Sequence, residues 1–131
     1  MEGRLIDLLD TSALLFYAAD PGRLTPKPSE AIDSADKLMV SSISFWEIGL
    51  KHKTGKLELP LDLEPFVERL SYAREIQILP VDLQIWMGNI HLDWSHRDPA
   101  DRTIVATAQL ISVPIITSDK RIQDFYPSTI W

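Results

Sequence analysis

Residues 5–15 read Leu-Ile-Asp-Leu-Leu-Asp-Thr-Ser-Ala-Leu-Leu, and no other stretch of the chain limits its fold so tightly. An apolar run of strand length stops at Asp10. Two hydroxyl residues follow, and Ala13, Leu14, Leu15 and Phe16 open a helical pattern. A buried strand that turns directly into a helix is the building unit of a parallel α/β sheet. In such sheets ligands gather at the carboxyl ends of strands, beside helix N-termini. Asp10 stands at such a point, so its carboxylate is a candidate metal ligand. Asp7, in the same strand, is read as lying near the solvated amino end, because a carboxylate inside a central strand is costly.

The same alternation continues. Further strands are predicted at 38–42, 76–81 and 114–118, with a small fifth at 128–131. Helices are predicted from Thr11 or Ser12 to the Asp20-Pro21-Gly22 turn, over 29–35, and from Ser42 or Ser44 to Lys53, closed by Gly55. More follow over 62–75, with Leu63, Phe66, Val67 and Leu70 on one face, over 82–90, and from the cap Asp98 to Ile111. Two prolines mark 24–28 as a loop, 91–97 is polar, and 119–125 is a turn or short helix. The expectation is one α/β domain over residues 1–131 with a mainly parallel sheet.

Composition narrows the function. With 45% hydrophobic and 24% charged residues in 131, the chain is globular. A formal charge of −6 argues against coating nucleic acid by bulk electrostatics. It leaves room for a nuclease, in which clustered acids hold a cation. The absence of cysteine excludes disulfides, thiolate catalysis and Cys-based zinc sites. The N-terminus lacks a signal-peptide layout, and no apolar run approaches the roughly 20 residues of a membrane span. A soluble, cytoplasmic protein without a membrane partner is expected.

Of nineteen acids, few sit where surface charge should not. Glu47 shares a helical stripe with Ile43, Trp46 and Leu50, which turns it inward; alternatively it pairs with Lys51 at i+4 on the surface. Asp98 before Pro99 reads as an N-cap. Asp101 extends the apolar stripe of Ile104, Val105 and Ala108 towards the helix mouth, and is read as part of a site. Pro114-Ile-Ile-Thr-Ser-Asp119 repeats the design of the first strand, with an acid at its end. Carboxylates brought together raise each other's pKa, and a divalent cation removes that penalty. An all-oxygen set suits magnesium or manganese. Such ions bind phosphate oxygens and activate water, so metal-assisted phosphodiester hydrolysis is the expected chemistry.

The remaining tempting residues read as structural. His52, His91 and His96 lack metal-binding spacing and are placed on the surface or in loops. Trp46, Trp86 and Met87 fit apolar helix faces, and Trp94 is the better candidate for touching a ligand or partner.

Four segments together resemble a known family. These are Leu-Leu-Asp10-Thr-Ser-Ala-Leu-Leu, Ser-Phe-Trp-Glu47-Ile-Gly-Leu-Lys-His-Lys-Thr-Gly-Lys-Leu, His96-Arg-Asp98-Pro-Ala-Asp101-Arg and Ile-Ile-Thr-Ser-Asp119. In this order they resemble the PIN domain, and within it the VapC-type toxin ribonucleases of bacterial toxin–antitoxin pairs. The resemblance implies a three-layer α/β/α sandwich with sheet order 3-2-1-4-5. It implies a magnesium- or manganese-dependent single-strand endoribonuclease, with Asp10, Glu47, Asp101 and Asp119 as its acidic quartet and metal holders. It also implies an RNA substrate, a cognate antitoxin and a homodimer. Asp98 matches a further acid that supports the quartet, and Ser12 and Thr117 are candidates for hydrogen-bonding the acids or for plain caps. Lys51, Arg97, Arg102, Lys120 and Arg121 lie near the motifs as candidate RNA contacts. Asp7 and Ala100 depart from the family pattern, the latter where an aromatic is frequent.

Two other readings compete. A catalytically silent binding protein on the same fold would carry the same acids. A phosphoacceptor signalling module would need an acid pair after strand 1 and an acceptor after strand 3, where only Asp82 stands, itself a plausible helix cap.

Overall fold

Five parallel strands run in the order β3-β2-β1-β4-β5 in the computed structural model, which describes residues 5–131. They are β1 (Ile6–Leu9), β2 (Lys37–Ser41), β3 (Ile76–Leu79), β4 (Ile115–Ile116) and β5 (Thr129–Ile130). Between them lie α1 (Thr11–Ala19), α2 (Pro26–Ser34), α3 (Ser42–Lys53), α4 (Leu63–Ser71), α5 (Leu83–His91), α6 (Pro99–Ile111) and α7 (Lys120–Phe125). This is the α/β/α architecture and strand order implied by the motifs.

Alternation along the strands divides the core. Leu9, Val40 and Ile116 face one layer, packing with Ala13 and Leu14 of α1, Ile32 of α2, Ile48 of α3, and Phe66 and Leu70 of α4. Leu8 and Ile115 face the other, packing with Ala100, Ile104, Val105 and Ala108 of α6 and Ile122 of α7. From β1 the chain builds outward to β2 and β3, then returns past β1 to β4 and β5. Crossovers of one hand put the helices of the two directions on opposite faces. The connections therefore diverge at the carboxyl ends of β1 and β4, which pair directly through Leu8↔Ile115 and Leu9↔Ile116. That divergence opens a crevice.

Several local expectations are corrected. Asp10, not Thr11 or Ser12, caps α1, accepting from the Ala13 amide at 2.8 Å. Ser41 caps α3. Helix α2 begins at Pro26, since a helix's first turn needs no donated amide and tolerates proline. Helix α4 stops at Ser71, because residues 72–75 turn so that Glu75 can pair with Leu38 beside β3. Trp46 and Trp86 are not core: they are 50% and 40% exposed, and Met87 is exposed too. The buried face of α3 is Ile43, Ser44 and Ile48, so the expected stripe is rotated by about one residue. Asp7 is more buried than expected, and burial raises its pKa, but it lies at the end of β1 away from the crevice.

Gly55 closes α3 with φ +76°, a conformation open to glycine. Helix α6 ends the same way at Ser112, φ 57°, without a glycine. A side chain in that region carries a steric penalty. Ser112→Gly is therefore expected to stabilise the fold by about 0.5–1 kcal/mol, read as a higher urea midpoint with an unchanged m-value.

Candidate active site

The crevice is a polar cleft of about 220 Å³. Five carboxylates line it: Asp10, Glu47, Asp98, Asp101 and Asp119, together with Ser12, Lys51, His96 and Arg121. The quartet drawn from four distant segments thus converges on one place. Strand ends deliver Asp10 and Asp119, while α3 and α6 deliver Glu47 and Asp101.

Asp10 is 3% exposed. Its Oδ1 accepts from the Ala13 amide, and its Oδ2 accepts from the Thr117 hydroxyl at 2.5 Å. Thr117 in turn accepts from the Asp119 amide at 3.0 Å, so one hydroxyl links the acids at the ends of β1 and β4. Asp119 also caps α7, accepting from the Arg121 and Ile122 amides. Asp98 caps α6 by accepting from the Asp101 amide at 2.9 Å while lining the cleft, so its two readings hold at once. Glu47 likewise faces the cleft and pairs with Lys51 at 3.1 Å. Beneath the rim, the Thr11 and Ser44 hydroxyls bond at 2.9 Å and tie α1 to α3.

Burial pushes the Asp10 carboxyl up to about 7, against the pull of the Thr117 and Ala13 hydrogen bonds, and Asp101 and Asp119 repel it further. Asp101 rises to about 6, mainly by burial, with Asp98 and Asp119 adding repulsion and the His96 hydrogen bond opposing. Among the described residues, no three histidines or acids are grouped so as to hold a metal ion as they stand. The donor chemistry fits a hard cation all the same. The set is all oxygen, and the raised carboxyls carry a repulsion that a cation would relieve.

Sequence reasoning missed His96. It is no surface residue: its side chain is 10% exposed and its Nε2 lies 2.7 Å from Asp101 Oδ2. Only its position in the motif pointed to it, since its spacing matches no metal pattern. Trp94 is not a free ligand platform either. It stacks on Phe125 with centroids 4.6 Å apart and 11° between planes, and packs against His96.

Arg102 is not available to RNA. Its guanidinium donates to the carbonyls of Asn89, Leu92, Trp94 and His96 and to Asn89 Oδ1, which occupies the fork from both sides. Lys120 pairs with Asp124 at 2.5 Å on the surface, and neither it nor Arg97 lines the cleft. Asp82, the candidate of the phosphoacceptor reading, caps α5 through the Ile85 amide and does not line the cleft.

An acid-lined cleft at the reversal point of a parallel 3-2-1-4-5 sheet marks a class of α/β/α domains. The chain belongs to the PIN domain family, whose profile matches residues 8–126. Ribonuclease VapC22 of Mycobacterium tuberculosis (strain ATCC 25618 / H37Rv) is 30% identical over 129 residues, covering 95% of this chain and 97% of that protein. A toxin–antitoxin complex from Klebsiella pneumoniae shares the fold with a TM-score of 0.64 and 21% identity, over 95% of this chain and 96% of that one. FitAcB from Neisseria gonorrhoeae does so with a TM-score of 0.63 and 22% identity, over 94% of each.

Two outcomes follow from this geometry. The raised pKa means that folded protein holds the Asp10 proton more tightly than unfolded chain. That stability is full below about pH 4 and is lost as pH rises through about 7. In chelator, Asp10→Asn should therefore lose less stability than wild type between pH 5 and pH 8, measured by urea unfolding across that range. Arg102→Lys should lower stability by about 2–3 kcal/mol, since an ammonium cannot span the four carbonyls; a urea titration at one pH checks it.

Proposed function

We propose that this protein is a magnesium- or manganese-dependent single-strand endoribonuclease, the toxin of a toxin–antitoxin pair. The observation that carries the reading is the convergence of Asp10, Glu47, Asp101 and Asp119 on one cleft. The 30% identity with Ribonuclease VapC22 supports the reaction class.

Asp10, Asp101 and Asp119 would hold the cation, directly or through water, and Glu47 would complete the set or orient the attacking water. A bound divalent cation supplies neutralisation of phosphate charge and a lower pKa for water. Thr117 holds Asp10 in place through its hydroxyl, and Asp98 fixes the start of α6 and so the aim of Asp101. In-line attack on phosphorus would leave a 5′ phosphate and a 3′ hydroxyl. A cognate antitoxin and a second copy of the chain are the partners this reading entails.

The test is cleavage of a mixed single-stranded and structured RNA pool with manganese or magnesium, beside a chelated control and Asp10→Asn. Cutting that requires metal and falls at least about 100-fold in the variant is expected, since Asp10 would hold the cation that neutralises charge developing in the transition state. A wild type freed of copurified antitoxin that binds no metal by calorimetry and cuts nothing would instead mark a silent binding protein.

A further inference from the structure

We propose that Arg121 is the residue that grips an RNA phosphate at the mouth of the cleft, and that His96 positions it; this rests on the nuclease reading above. The electrostatics call for such a residue. Five carboxylates line the cleft, and its lysine, Lys51, is already paired with Glu47. A polyanion approaching this surface needs a fixed cation whose charge no carboxylate already balances. The other candidates fail on geometry. Arg102 is consumed by backbone carbonyls, Lys120 is paired with Asp124, and Arg97 does not line the cleft.

Arg121 lines the cleft, and its NH1 donates to His96 Nδ1 at 3.2 Å. Its remaining guanidinium donors have no partner among the described residues. A planar fork with several open N–H groups suits bidentate binding of phosphate oxygens.

The His96 ring gives that arginine its place. A guanidinium only donates, so Nδ1 must accept, and the ring proton belongs on Nε2, where it faces Asp101 Oδ2 at 2.7 Å. One neutral imidazole thus bridges a metal-site acid and a phosphate-site cation, and sets the distance between them. The ring itself is held from behind. Trp94 packs against it at 4.9 Å between centroids and stacks in turn on Phe125. Arg102 fixes the backbone of the same loop through the carbonyls of Trp94 and His96, at 2.6 and 3.0 Å. Thus the loop that carries His96 is clamped at both its backbone and its ring face.

Two amide substitutions separate the two contacts. In His96→Asn the side-chain oxygen takes the place of Nδ1 and keeps an acceptor for Arg121. In His96→Gln the amide nitrogen takes the place of Nε2 and keeps a donor for Asp101, and the acceptor for Arg121 is lost. The experiment measures kcat and KM with manganese on a labelled single-stranded oligoribonucleotide that the wild type binds or cuts, with fluorescence anisotropy for Kd across salt. Arg121→Ala should raise KM and Kd about tenfold with little change in kcat, and flatten the salt slope by about 0.7. His96→Gln should reproduce that loss, His96→Asn should keep KM nearer the wild-type value while lowering kcat through the lost Asp101 bond, and adding His96→Gln to Arg121→Ala should cost no more than Arg121→Ala alone.

Unchanged KM and Kd in Arg121→Ala would overturn the phosphate role. Raised KM in Arg121→Ala with wild-type KM in His96→Gln would overturn the positioning role. Additive losses in the double variant would do so as well. A wild type that neither binds nor cuts RNA would bring down the nuclease reading and this inference together, a result distinct from an active enzyme indifferent to Arg121.

Discussion

The structure turns on one buried carboxylate. Asp10 ends the central strand, caps the following helix and meets the neighbouring strand through Thr117. A buried acid is tolerated only where hydrogen bonds replace its water. Here the replacement comes from two different places in the chain, the first turn of α1 and the end of β4. Satisfying Asp10 therefore requires β1 and β4 to be neighbours in register, which is also what opens the crevice between their diverging connections. The fold and the site share a single requirement.

The remaining acids are placed by similar economy. Asp98 and Asp119 each cap a helix with the same carboxylates that line the cleft. Capping pins a short polar side chain to backbone amides, so these acids hold their positions against mutual repulsion. Arg102 performs the complementary task for the loop before α6. Its planar fork gathers the carbonyls of Leu92, Trp94 and His96 together with that of Asn89 in the last turn of α5. The result is a rigid rim on which His96 meets Asp101 and Arg121.

Much of this was legible along the chain, but unevenly. Strand and helix order followed from apolar runs and caps, because those signals are local. Asp10, Asp101 and Asp119 stood out because each sits where a strand ends or an apolar stripe opens. Glu47 was found by a stripe drawn through the wrong residues: Trp46 and Leu50 are exposed, and the inward face is Ile43, Ser44 and Ile48. Its neighbour four residues away from Ile43 still faces the cleft. Trp86 misled for the same reason, since helical periodicity shows which residues share a face and not whether another layer covers it. The proline pair at 26 and 28 looked like a loop and proved to be the first turn of α2. Arg102 and His96 were exchanged in role, the arginine read as a ligand contact and the histidine as surface. No local signal distinguishes a guanidinium that meets phosphate from one that meets carbonyls.

By itself, the sequence determined the class of fold, the order of its elements and which acids terminate them, because backbone propensity, capping and burial act over a few residues. It also carried the motifs by which the chain is placed in the PIN family. Tertiary structure alone decided what those residues touch. Thr117 lies 107 positions from Asp10, and Arg121 lies 25 from His96, yet each pair is in hydrogen-bond contact. The first pair arises because the ends of β1 and β4 lie side by side, the second because the loop before α6 packs beside the start of α7. A side chain's partner, and hence its protonation and its availability to a substrate, is a property of that meeting and not of its neighbours in the chain.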